Sequence, residues 1–119
     1  MVERGRQAGN DLGADPAASV DALVESVLDQ LADGEDRLIQ VIGGQGMRLY
    51  AYLPTRTFEL AVHSLNIAAA VNIPFSLPDQ VLSETTVLAA RIAVANGDGA
   101  SVLTSLTGRT TLPPSFSVV

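Results

Sequence analysis

The chain has no cysteine, no tryptophan and no lysine, and only one histidine. The missing cysteines exclude disulfides, thiolate metal sites and a cysteine nucleophile. All seven basic residues are arginines, against thirteen acids, for a net charge of -6. They form no run, so the phosphate-neutralising face that nucleic-acid binding needs is missing, and no nucleic-acid partner is expected. No apolar run approaches the ~20 residues of a membrane span. The charged N-terminus (Glu3, Arg4, Arg6) has no apolar stretch behind it, as a secretory signal would. No membrane partner and a cytoplasmic location are therefore the expectation.

What is present is apolar. Hydrophobic residues make up 47% of 119 positions and charged ones 17%, which argues for a folded chain with a modest core. Residues 1–14 are rich in glycine and charge and read as a flexible segment or a frayed helix. Asp15-Pro16 then starts a helix, because Asp caps and Pro suits the first turn. Val20, Leu23, Val24, Val27, Leu28 and Leu31 repeat at helical spacing up to Gly34.

Arg37–Ile42 and Met47–Leu53 read as two β-runs around Gly43-Gly44-Gln45-Gly46, a hairpin. A phosphate loop would need a following Gly-Lys-Ser/Thr or the GxGxxG spacing, and neither occurs, so a plain turn is the better reading. Pro54 is expected to open a helix from Thr55 to Val71, closed by Asn72-Ile73-Pro74. Ser76-Leu77-Pro78-Asp79 has capping-box spacing and leads a further helix to Ala95, with Val81, Leu82, Leu88, Ala89, Ile92 and Ala93 inward. A short helix, Gly99–Leu106, ends at Gly108, and Pro113-Pro114 introduces a final extended piece, Ser115–Val119.

The functional argument rests on the Thr55–Val71 helix. Phe58, Ala61, Val62, Leu65 and Ala69 form its apolar stripe, with Leu60 and Ile67 expected to widen the burial. Arg56, Glu59, His63 and Asn66 follow at intervals of three, four and three, a polar stripe that either lines a cleft or faces solvent. Glu59 and His63, at i and i+4, are close enough to hold one divalent metal. Arg56 is then placed to hold the carboxylate or an anionic substrate, and Asn66 to orient the imidazole or a water. The same pair also reads as a surface ion pair, or as an acid–base couple without metal.

The string Arg-Thr-Phe-Glu-Leu-Ala-Val-His-Ser-Leu-Asn-Ile-Ala-Ala-Ala (residues 56–70) closely resembles the last bundle helix of the mycothiol-dependent maleylpyruvate isomerase family, in the DinB-like superfamily. The family pattern there is Glu-x-x-x-His followed by x-x-Asp-Ile/Leu. Tyr52-Leu53-Pro54-Thr55-Arg56, Leu106-Thr107-Gly108-Arg109 and Leu112–Val118 are similar to segments of actinobacterial members. The resemblance covers most of the chain from Asp15 on. It implies a metal-binding helical bundle followed by a small α+β part. It also implies a divalent metal, usually zinc, on Glu59, His63 and a histidine from an earlier helix, and mycothiol-dependent isomerase or thiol-transferase chemistry on a small molecule.

This sequence departs from the pattern in having no second histidine and in placing Asn66 where the family has Asp. Its length matches the C-terminal half of a longer member, so uncovered helical faces and a homo-oligomer or partner chain are expected. The resulting expectation is a predominantly helical α+β fold: a partial DinB-like bundle with a β-hairpin and a small C-terminal α/β extension. Its divisions are expected at 1–14, 15–72 and 73–119. The alternative is a non-catalytic dimeric interaction module in which Glu59 and His63 are structural.

Overall fold

Helices dominate because the apolar residues repeat every three or four positions over most of the chain. The computed structural model describes residues 2–119. Among them it contains α1 (Val2–Asp11), α2 (Pro16–Leu31), β1 (Leu38–Gln40), β2 (Gly46–Arg48), α3 (Leu49–Ala70), α4 (Asp79–Ala95) and α5 (Gly99–Leu106). This is a predominantly helical α+β chain. It divides into two units, residues 1–37 and 38–119. The division falls inside the expected 15–72 segment: Gln30 and Asp33 hold Arg37 back against the end of α2, and Leu38 begins the hairpin.

In the first unit, the segment read as flexible or frayed forms helix α1. Gly13 turns the chain with φ 72°, and its N–H donates to Asn10 O at 3.0 Å. The Asp15 side chain accepts from Ala18 N at 3.1 Å, satisfying one of the orphan amides at the start of α2. Ser19 Oγ donates to Leu12 O at 2.7 Å, fastening the connection. At the other end Arg37 donates to Gln30 O at 3.0 Å and pairs with Asp33 at 3.3 Å. The apolar stripe of α2 is as the spacing predicts, yet none of it is buried: Val20, Leu23, Val24, Val27 and Leu28 are all about half exposed or more.

The second unit opens with the antiparallel pair β1–β2, in register Leu38↔Arg48, Ile39↔Met47, Gln40↔Gly46. Gly43 and Gly44, at φ 100° and 80°, make the turn, closed by Gly44 N donating to Val41 O at 3.0 Å. Only glycine takes these values cheaply, which accounts for the pair without a phosphate. The second strand stops at Arg48 and not at Leu53. The alternation in Met-Arg-Leu-Tyr-Ala-Tyr-Leu fits a strand, but short apolar runs fit both periods. Here Leu49 is buried at the start of the helix, which packs against β2. Pro54 therefore lies inside α3 and does not open it. It has no N–H to give to the turn before it. Thr55 Oγ1, alongside, donates to Tyr52 O at 2.7 Å.

Three helices end in the same way. Asn72 (φ 55°), Gly97 (φ 91°) and Gly108 (φ 71°) follow the last turns of α3, α4 and α5. In each, the next amide reaches back to a carbonyl five residues earlier: Ile73 to Ala68, Asp98 to Ala93, Arg109 to Thr104. This is the Schellman arrangement. The capping box expected before α4 does not form: Pro78 is the cap and no side chain bonds to the first amides. Residues 111–119 form no strand; Phe116 N turns back to Pro113 O at 2.9 Å.

α4 packs on α3 and α5 on α4. The core is small. Among the described residues, Leu49, Phe58, Ala61 and Ala93 are the buried apolar ones, and Thr85 is the buried polar one, its hydroxyl donating to Val81 O at 2.7 Å. Among the described residues no helix is long and apolar enough to cross a membrane.

Candidate functional site

The core position of α3 fixes what its opposite face presents. Phe58 and Ala61 point inward at 8% and 3% exposure. At 100° per residue, Arg56, Glu59, His63 and Asn66 then lie on the far side of the helix. The stripe faces solvent and does not line a cleft. His63 Nε2 and Glu59 Oε2 are 3.2 Å apart, with side chains 68% and 49% exposed. An exposed pair of this kind contributes only about 0.3–0.5 kcal/mol to stability.

Arg56 belongs to a different group. Its guanidinium lies over the Tyr52 ring, 4.9 Å from the centroid, and its Nε donates to Thr55 Oγ1 at 3.3 Å. No ion pair joins it to Glu59 among the described residues. Tyr52 was not singled out from the sequence; its spacing of four from Arg56 is the signal that marks it. Asn66 is exposed on the same face, one turn after His63, and is not hydrogen-bonded to it. The structure thus brings Glu59 and His63 together and leaves Arg56 and Asn66 beside them.

The expectation that Leu60 and Ile67 widen the buried stripe is corrected. They are 69% and 63% exposed, and Val71, four residues after Ile67, is 58% exposed. These residues lie about 60–100° round the helix from the polar stripe, too far from the Phe58 direction for α4 to reach. An apolar row therefore runs along the flank of the Glu59–His63 pair.

The resemblance implies zinc at this pair. Two donors, each about 2.1 Å from one zinc at the tetrahedral angle, lie ~3.4 Å apart. The 3.2 Å separation of Nε2 and Oε2 suits that bite. The number of donors does not: zinc sites take three or four protein ligands. Among the described residues no three His, Cys, Asp or Glu side chains gather where one ion would meet them. One chain offers half a site.

Two grooves lie elsewhere. One of about 700 Å³ sits between α1 and α2, lined by residues such as Gly9, Leu12, Ser19 and Leu23. One of about 480 Å³ sits between α4 and α5, lined by Ala90, Val94, Leu103 and Leu106 among others. Neither holds a charged pair able to do chemistry. No protein-family model, curated protein or solved structure matches this chain.

Proposed function

We propose that this protein is an associating helical module related to the maleylpyruvate isomerase and DinB-like group, whose helix α3 presents Glu59 and His63 as a divalent-metal half-site. The observation that carries the reading is the shared face. The two ligand atoms stand 3.2 Å apart beside exposed Leu60, Ile67 and Val71. A face meant only for solvent needs no apolar row, and exposed apolar rows beside polar groups mark contact surfaces. A chain that covers the row brings its own side chains to the pair.

In this reading the lone chain holds metal weakly and does not complete a catalytic centre. No reaction step is assigned to it. Thiol-dependent isomerase or transferase activity on a small molecule, with mycothiol as co-substrate, belongs to the family resemblance and would require the missing ligands. Equilibrium dialysis against zinc tests the half-site. Binding by the wild-type chain and its loss in the Glu59→Ala/His63→Ala double variant are expected; equal zinc uptake by both would overturn the reading.

A second reading is favoured by the exposed apolar side chains away from α3. Val94, Leu103 and Leu106 are each more than 60% exposed along the α4–α5 groove. Here the chain is a non-catalytic interaction module and Glu59–His63 is a structural ion pair. Self-association that is indifferent to zinc and to both substitutions is its signature.

A further inference from the structure

We infer that helix α2 is a docking surface for a basic amphipathic helix of another protein, seated on the apolar seam from Val20 to Leu31 with its lysines or arginines along the row Asp21, Glu25 and Asp29. This surface is separate from the Glu59–His63 pair and does not depend on what that pair holds.

The seam is continuous. At 100° per residue, Val20, Val27, Leu28 and Leu31 all lie within about 60° of Val24. Val20, Val24, Val27 and Leu28 are exposed, although the seam runs most of the length of a 16-residue helix. Helix α1 does not cover it. The α2 residues that meet the α1 groove are Ser19, Ala22 and Leu23, which begin about 100° round the helix from Val24. That groove runs beside the seam over Ala8, Gly9 and Ala22, and a Cβ added at Gly9 would meet nothing within 4 Å. It has room for an anchoring side chain. A seam with a groove at its edge is the surface that helix-in-groove recognition uses.

Charge selects the occupant. Nine of the thirteen acids and three of the seven arginines fall in residues 1–37, so this unit carries the whole net charge of -6 and residues 38–119 carry none. Asp21, Glu25 and Asp29 stand about 60°, 100° and 140° from Val24, on the flank away from Leu23. Helix α2 has no basic residue, and among the described residues none of these three acids is in an ion pair. Like charges at i and i+4 weaken a helix, and so does an acid in its last turn. The row therefore works against α2 in the lone chain. A partner helix with Lys or Arg every three or four residues relieves both costs, and its side-chain stems extend the apolar cover of the seam. A second copy of this chain would instead lay one acidic unit against another, and anionic lipid or nucleic acid would be repelled in the same way.

The test is calorimetric titration of the full chain with two synthetic helical peptides about 18 residues long, or five turns. Both carry the same leucine seam; one has lysines on its flank and the other glutamates. The lysine peptide is expected to bind one to one and the glutamate peptide not at all. Asp21→Asn/Glu25→Gln/Asp29→Asn, isosteric and uncharged, is expected to lose roughly tenfold in affinity. Asp79→Asn/Glu84→Gln, on exposed acids of α4, is expected to lose none. Raising salt from about 0.05 M to about 0.5 M should weaken the wild-type complex and leave that of the triple variant nearly unchanged. Val24→Gln/Leu28→Gln, with helix content confirmed by circular dichroism, should abolish binding. Equal binding of the two peptides, or of neither, overturns the proposal. So does binding that survives the triple variant or the Val24→Gln/Leu28→Gln variant. A chain that is dimeric without peptide and monomeric in Val24→Gln/Leu28→Gln gives the seam to a second copy and also overturns it.

Discussion

The two faces of helix α3 are built from neighbouring residues and have opposite fates. Phe58 and Ala61 are buried and position the helix on α4, while Glu59, Leu60 and His63, interleaved with them, are exposed. The inner face is satisfied within the chain. The outer face combines an ion pair with an apolar row and is satisfied by nothing else in its own unit. On the proposed reading, stability and binding are separated on one element: substitutions on one face should unfold the protein, and on the other they should change what it holds.

The sharpest way to break this comparison is from the inside. Phe58→Ala should cost about 3 kcal/mol, because the cavity left in so small a core has few side chains to refill it. Urea unfolding would show the midpoint collapse. Next in size is Gly99→Ala. A Cβ there would lie 2.7 Å from Val94 Cγ2 and 3.2 Å from Val94 Cα, and turning the side chain does not relieve the backbone contact. A loss of about 1–2 kcal/mol is expected, read by the same unfolding curve. Asp15→Ala should cost about 1 kcal/mol by removing the bond to Ala18 N, visible as lower helicity and earlier melting of the first unit. The smallest effect belongs to the outer face. His63→Ala should move stability by no more than about 0.5 kcal/mol, since the pair it breaks is exposed, while abolishing zinc binding. If His63→Ala destabilised as much as Phe58→Ala, the separation of the two faces would be wrong.

Much of this was legible in the sequence, for local reasons. Asp15-Pro16, Asn72-Ile73-Pro74 and Gly108 mark helix ends because capping and left-handed turns depend on residues a few positions apart. The Glu59–His63 distance was legible for the same reason, being a property of one helical turn. The start of α3 was not: residues 49–53 alternate as a strand would, and the burial of Leu49 decided the matter. Nor was the exposure of Leu60 and Ile67, which look like core residues until one knows that α4 covers the Phe58 side only. Helical spacing says that a residue shares a face; it cannot say whether anything packs there. The further histidine ligand that the resemblance implies was illegible in a stronger sense, because one histidine per chain leaves none to find.

The central claim is best tested by zinc titration of isotope-labelled protein, followed residue by residue by nuclear magnetic resonance. The account predicts shifts confined to the outer face of α3, largest at Glu59 and the His63 ring and extending to Leu60 and Ile67, with Phe58, Ala61 and Ala93 unmoved. Shifts absent from His63, or centred on Val94, Leu103 and Leu106, would contradict it.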